Sequence, residues 1–96
     1  MFKELDTILS SPLRLAIISV LFGMHEAEFL VLKEKTKATS GNLSVQINKL
    51  KSAGYIEVVK KFKDNYPQTI CKITSEGKDA FKKYEEALKS YFPNSK

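Results

Sequence analysis

A narrow apolar stripe followed at once by two strand-like segments constrains this fold more than any other sequence feature. Within residues 41–53, three apolar residues recur at the spacing of one helix face: Leu43, Ile47 and Leu50. Residues 55–63 are rich in β-branched and aromatic side chains and predict a strand, and residues 69–74 predict a second strand that returns after a turn. The pattern therefore predicts a helix with one buried face that leads directly into a β-hairpin.

Four further helical patterns surround this unit, at residues 1–9, 12–22, 30–37 and 75–91. Ser11 followed by Pro12 is typical of a helix start, because the serine caps the helix and proline needs no hydrogen-bond partner in the first turn. Either Thr74 or Ser75 can cap the last helix. Helical segments therefore lie on both sides of the predicted hairpin.

The stretch between the second and third helices is less regular. Residues 27–29 can form a very short strand, and in the helix that follows we expect Leu30 and Leu32 to face the core. Thr39 or Ser40 is the expected N-cap of the helix with the narrow stripe. The predicted order is helix, helix, short helix, helix, β-hairpin, helix, which is a mostly helical α+β fold.

Length and composition limit the class of protein. The 96 residues suffice for one small domain, and the formal net charge of +5 favours an anionic partner. The longest apolar run, residues 15–22, is too short to span a bilayer, and residues 1–4 lack the features of a secretory signal. Cys71 is the single cysteine, so no internal disulfide can form, and we expect it to be a buried, inert thiol. We therefore expect a cytoplasmic protein with no membrane association.

The face of residues 41–53 opposite the stripe is polar and basic, with no acidic side chain. A DNA recognition helix buries one face and offers the other to the major groove, where it needs short polar groups and cations. Asparagine can form a bidentate pair with adenine, and Val45 can contact a thymine methyl group. The hairpin adds basic side chains suited to the backbone or the minor groove, namely Lys60, Lys61 and Lys63. This order of elements predicts a winged helix-turn-helix.

Three segments, in this order, resemble the small winged-helix transcriptional regulators of the MarR and ArsR type. Residues 11–18 (SPLRLAII) resemble the first core helix of these families, and residues 39–56 resemble their recognition helix and its exit into the wing. Ile73-Thr74-Ser75-Glu76-Gly77 resembles the "L-T-x-x-G" entry into their last helix. The resemblance covers roughly residues 4–90.

The resemblance implies a homodimeric, sequence-specific regulator that binds double-stranded DNA, with residues 1–96 as a single winged-helix domain. The recognition helix would be residues 41–53, and the wing would be the hairpin at residues 55–74. The residues that the resemblance places on DNA are Ser40, Asn42, Ser44, Val45, Gln46, Asn48, Lys49, Lys61, Lys63 and Asn65. These families usually dimerise through their terminal helices, here residues 1–9 and 75–92. The corresponding interface residues are Phe2, Leu5, Leu9, Phe81, Tyr84, Leu88, Tyr91 and Phe92.

Several expected absences follow from the sequence. Residues 30–37 lack the Cys-x-Cys motif of metal-sensing ArsR proteins, and His25 has no second ligand at a suitable spacing, so we expect no metal site. The chain has no Gly-rich phosphate loop and no Ser/His/Asp arrangement. We therefore expect that it binds no cofactor and is not an enzyme. Whether a small-molecule effector binds is left open. Arg14, the only arginine, can form a structural salt bridge or contact a phosphate, and we expect the structural role.

Simpler explanations exist for the same features. The polar face of residues 41–53 can be a solvated surface, and the hairpin lysines can protect an exposed strand edge from aggregation. If the basic face binds an acidic partner instead, the fold is a protein-interaction module with only nonspecific nucleic-acid binding. RNA binding needs aromatic platforms for unpaired bases, for which Phe62 and Tyr66 are the candidates.

Overall fold

The computed structural model describes residues 1–92 and has four helices and three strands over that range. The elements are α1 (Pro12–Met24), β1 (Glu26–Glu28), α2 (Phe29–Thr36), α3 (Ser40–Ser52), β2 (Ile56–Lys63), β3 (Tyr66–Ile73) and α4 (Ser75–Lys89). This order confirms the predicted, mostly helical α+β class and the winged helix-turn-helix arrangement. Among the four helices of the described chain, none combines the length and apolar composition that a membrane span requires.

The predicted helix at residues 1–9 is wrong: residues 1–6 are irregular and residues 7–9 form a turn. The carboxylate of Asp6 accepts a hydrogen bond from the Ile8 backbone N–H at 2.7 Å, and the Ser10 hydroxyl donates to the Asp6 carbonyl at 2.6 Å. Such local side-chain bonds compete with helix formation, and a segment this short gains little from helical hydrogen bonds alone. Residues 1–10 therefore follow the body of the protein without helical structure, and we call this segment the strap.

Threonine and serine hydroxyls define three of the four helix starts. Ser11 accepts from the Arg14 backbone N–H at the start of α1, and Thr39 accepts from the Asn42 N–H at the start of α3. Of the two expected caps for the last helix, Thr74 is the one used. These hydroxyls satisfy backbone donors that have no partner within the helix, so the chain enters α3 at a fixed point.

Helix α2 differs from the expectation on one side chain. Leu32 is fully buried, as expected, but Leu30 is 69% exposed. Two residues along a helix differ by more than half a turn, so both side chains cannot face the same core. Leu30 therefore lies on the exposed side of this helix.

The three strands form one antiparallel sheet in the order β1-β3-β2. Asp64 and Asn65 both have positive φ values, 51° and 67°, as in a two-residue type I′ hairpin turn. The turn is therefore shorter than the predicted one, and β3 begins at Tyr66 instead of Thr69. Pro67 is tolerated because β1 pairs only with residues 70–72, so this part of β3 has a strand on one side only.

The core lies between α1 and the other elements. Ile17, Ile18 and Leu21 of α1 have no exposed surface, and α1 packs against α2, α3, α4 and β3. Cys71 is fully buried in the same cluster, as predicted, and burial raises the pKa of its thiol to about 11. A buried thiol with a raised pKa carries little thiolate and is unreactive, which fits the expected structural role.

The strap formed by residues 1–10 is fixed at several points. The Tyr55 hydroxyl donates a hydrogen bond to the Asp6 carboxylate, and burial, followed by this bond, raises the pKa of Tyr55 to about 12. Farther along, the Lys3 backbone N–H donates to the Ser90 hydroxyl at 3.0 Å, beyond the end of α4. The strap therefore connects the start of the wing with the carboxyl end of the last helix.

The entry into α4 brings backbone segments unusually close. The Thr74 hydroxyl accepts from the Gly77 N–H at 3.0 Å and donates to the Gly54 carbonyl at 2.6 Å. A β-carbon at Gly77 would lie 2.2 Å from the Tyr55 carbonyl oxygen and 2.9 Å from Cγ1 of Ile73. The glycine of this motif is therefore required by the close approach of α4 to the segment that leads into β2.

We predict that Gly77→Ala destabilises the protein by about 1–3 kcal/mol or more, because the new methyl group overlaps backbone atoms that cannot move freely. Equilibrium unfolding in urea measures the change. Gly23→Ala is the matched control: it lies within α1, nothing lies within 4 Å of its added β-carbon, and it should stabilise by about 0.5–1 kcal/mol. Equal unfolding midpoints for the two variants would contradict this account of the α4 entry.

Candidate nucleic-acid interface

Helix α3 has one buried face and one broad exposed face. Leu43 and Leu50 have no exposed surface and Ile47 is 4% exposed, so the predicted stripe is the face that packs on the body. The structure leaves six of the predicted DNA-contacting side chains of this helix exposed: Ser40, Asn42, Ser44, Val45, Asn48 and Lys49. They include hydrogen-bond donors and acceptors, one cation and an apolar contact surface, which are the groups that base edges and phosphates bind.

Gln46, the seventh predicted contact on α3, is only partly exposed and already has partners within the chain. Its Oε1 accepts a hydrogen bond from Nη1 of Arg14 at 2.6 Å, and its Nε2 donates to Oδ1 of Asn42 at 3.1 Å. Nε of Arg14 also donates to the Ile8 carbonyl at 2.7 Å. Arg14 therefore has the structural role that was expected, and it ties the strap to α3.

The wing places its lysines on two different faces. Ile56 is buried and Val58 is partly buried against the body, and because side chains alternate along a strand, Lys60 continues the same face toward α3. The predicted wing contacts are Lys61 and Lys63. They point to the opposite side of the strand from Lys60, which is the outer face of the sheet. Asn65 lies exposed in the hairpin turn.

A groove separates α3 from the wing. From α3 it is lined by Ser44, Asn48 and Lys51, and from the sheet by Lys60 and Thr69. Its apolar lining residues are Phe29, Ile47 and Val58. The groove therefore offers hydrogen-bonding groups beside two cations, an arrangement suited to a polyanion with polar base edges.

Three residues of the groove, Lys51, Lys60 and Thr69, are absent from the set that the family resemblance places on DNA. The sequence contains a signal for Lys60. Ile56 and Val58 are apolar and face the body, and because side chains alternate along a strand, Lys60 lies on the same face. Thr69 follows from Lys60, since the two residues are paired across the hairpin. The position of Lys51 beside the groove depends on how the wing packs, which a helical pattern alone does not show.

The charge around the groove is positive. The exposed face of α3 has no acidic side chain, and Lys49, Lys51 and Lys60 lie on or beside the groove. Within residues 1–92 the single ion pair joins Lys72 to Glu26 at 3.9 Å, in the β1–β3 part of the sheet. The lysines of α3 and of the wing tip have no such pairing in the described chain, so their charge is available to an anionic ligand.

The predicted dimer residues divide into two groups. Leu9 is fully buried and Tyr84 is 9% exposed, and Leu5 and Phe81 pack against the same core, so these four stabilise the chain's own fold. The other four are exposed at the end where the strap meets α4: Phe2 (67%), Leu88 (41%), Tyr91 (41%) and Phe92 (58%). Phe2 stacks on Tyr91 with ring centroids 4.9 Å apart, so the strap and the end of α4 form one apolar surface.

Metal binding has no support among the residues that the structure describes. Within residues 1–92, no three His, Cys, Asp or Glu side chains lie together as a metal site requires.

Comparison with known proteins agrees with this geometry. Residues 13–92 match the family model of the winged helix DNA-binding domain. An uncharacterized protein of Methanocaldococcus jannaschii is 40% identical over 77 residues, which are 80% of this chain and 84% of that protein.

Solved structures also share the fold. A transcriptional regulator homologue from Pyrococcus horikoshii OT3 superposes with a TM-score of 0.86 at 30% identity, covering 92% of this chain and 87% of that one. The transcriptional regulator BldR from Sulfolobus solfataricus superposes with a TM-score of 0.72 at 20% identity, covering 85% of this chain and 58% of that one. The family model and the Pyrococcus horikoshii structure confirm the predicted resemblance to winged helix-turn-helix regulators, and BldR shares the fold.

Proposed function

Since the chain belongs to the winged helix DNA-binding domain family, we propose that it is a sequence-specific transcriptional regulator that binds double-stranded DNA as a homodimer. The observation that carries the proposal is the α3–wing groove. It combines short polar side chains with lysines on an exposed surface that lacks acidic groups on its helix side. A surface that only faced solvent would not need lysines to be grouped apart from acidic side chains in this way.

In the proposed complex, α3 enters the major groove and the wing follows the adjacent backbone or minor groove. Asn42 and Asn48 contact base edges, Val45 contacts a thymine methyl group, and Lys49 and Lys60 contact phosphates. Hydrogen bonds to base edges determine the preferred sequence, whereas the lysine contacts contribute affinity for every sequence. In this proposal residues 1–96 act as one domain, with residues 41–53 as recognition helix and 55–74 as wing.

The apolar surface formed by the strap and the end of α4 supports the proposed homodimer. Phe2, Leu88, Tyr91 and Phe92 expose apolar area at one end of a small chain, and contiguous exposed apolar area marks an interaction surface. A second copy of the chain, related by a two-fold axis, is the proposed occupant, because paired DNA half-sites require two recognition helices.

The proposal is one of binding and not of catalysis, and it needs neither metal nor cofactor. The cytoplasm is the proposed location. The alignments with this chain cover 84% of the Methanocaldococcus jannaschii protein and 87% of the Pyrococcus horikoshii chain.

We predict that selection from randomised duplex DNA, near physiological salt, enriches an inverted repeat. Asn48→Ala should relax the preference at one position of each half-site, at a cost of about 1–3 kcal/mol. Lys60→Ala should instead weaken all sequences alike and reduce the slope of log affinity against log salt by about 1.

Lys61→Ala is the matched control for Lys60→Ala, because it removes the neighbouring lysine from the outer face of the same strand. It should change affinity less than Lys60→Ala does. Failure of the wild-type protein to enrich any sequence would contradict the proposed function. The fold would then serve as a nonspecific DNA binder or as a protein-interaction module.

We predict that the wild-type protein is a dimer in sedimentation equilibrium and that Leu88→Glu shifts it to monomer, because a charge in the apolar surface would be buried without a partner. Leu30→Glu introduces the same charge at an exposed leucine of α2, outside that surface, and should leave the dimer intact. A monomeric wild-type protein, or equal dissociation of both variants, would overturn the assignment of this face.

A further inference from the structure

A chain of three polar side chains connects the strap to the exposed face of α3. Arg14 donates from Nη1 to Oε1 of Gln46 at 2.6 Å, and Gln46 donates from Nε2 to Oδ1 of Asn42 at 3.1 Å. Arg14 is itself held by the Ile8 carbonyl at 2.7 Å. The two amides are one helical turn apart on α3, so this relay runs along the side of the helix to its first turn.

The chemistry of arginine fixes the orientation of both amides. A guanidinium group has five N–H donors and no acceptor, so only the oxygen of Gln46 can face Arg14. The Gln46 NH₂ group must then face Asn42, and only the oxygen of Asn42 can accept from it. Each step removes the alternative in which an amide is rotated by 180°, and no other assignment satisfies both hydrogen bonds.

From this arrangement we infer that Arg14 and Gln46 are positioning residues that make Asn42 a hydrogen-bond donor toward DNA. The Oδ1 atom of Asn42 is engaged by Gln46, so its Nδ2 group, with two N–H donors, is the part directed away from the relay. Asn42 is exposed and lies in the first turn of α3, the part of a recognition helix that contacts base edges. The inference rests on the proposed function and adds to it the class of base that this position prefers.

In the major groove, guanine presents the acceptors N7 and O6, and thymine presents the acceptor O4. Adenine presents the acceptor N7 beside an amino donor, and cytosine presents an amino donor. As a donor, Asn42 should therefore prefer guanine or thymine, bind adenine less well through N7 alone, and disfavour cytosine. This differs from the usual bidentate pairing of asparagine with adenine, for which the amide oxygen must also face the base.

Gln46→Glu replaces the amide NH₂ group of Gln46 with an oxygen, which reverses the direction of the hydrogen bond between residues 46 and 42. The new carboxylate still accepts from Arg14, but its second oxygen has no hydrogen to donate, so Asn42 must rotate and donate from Nδ2 to that oxygen. Oδ1 of Asn42 then faces the DNA. We expect the preference at this position to change from guanine or thymine to cytosine or adenine, by about tenfold, while Asn48 keeps its own preference.

Two variants of Arg14 form a matched pair. Arg14→Lys keeps a cation that only donates and should retain the wild-type preference, whereas Arg14→Met leaves Gln46 free to rotate and should relax it. Thermal unfolding of each variant separates loss of preference from loss of fold. A role of Arg14 in stability alone would change the melting temperature without changing the preferred base.

The experiment is selection from randomised duplex DNA with the wild-type protein and the three variants, together with side-chain amide NMR of the free proteins. In the free Gln46→Glu variant, the Nδ2 protons of Asn42 should exchange with water more slowly than in the wild type. Enrichment by the wild type with no change of base in Gln46→Glu would overturn the inference. If the wild type enriches nothing, the proposed function fails, and unchanged Asn42 exchange would then overturn the relay independently of DNA.

Discussion

The burial of a single stripe of α3 against α1 is the contact on which the rest of the structure depends. Leu43, Ile47 and Leu50 meet a core to which α1 contributes three fully buried side chains. Because the stripe is narrow, most of the α3 surface remains exposed and is free to be polar. The same contact fixes the direction in which the chain leaves α3, and therefore where the wing lies.

Much of this arrangement could be predicted from the sequence because it has a local signature. The stripe of α3, the alternating hairpin and the capped start of α4 all appear as periodic patterns or cap residues within a few positions of one another. The strap could not be predicted in this way. Its apolar spacing suggests a helix, but Asp6 bonds to the backbone of Ile8 and the side chain of Tyr55, and the second partner is 49 residues away.

The candidate site was predictable to a different degree on its two sides. On α3 the exposed residues follow from the buried ones, and only Gln46 differs, because its partner Arg14 lies 32 residues earlier in the chain. On the wing the lysines were predicted without regard to the face on which they lie. The strand register places Lys60, rather than Lys61, toward α3. The buried residues of a strand therefore give better guidance to its functional face than its charged residues do.

The central claim is that the α3–wing groove is the surface that meets DNA, and NMR chemical-shift mapping with a duplex of the selected sequence tests it most directly. The largest shifts are predicted for Ser44, Asn48, Lys60 and Thr69, which line the groove from both sides. Glu57 and Lys72, paired on the outer face of the sheet, should change little. Shifts concentrated on that outer face or along α4, with none in the groove, would contradict the claim.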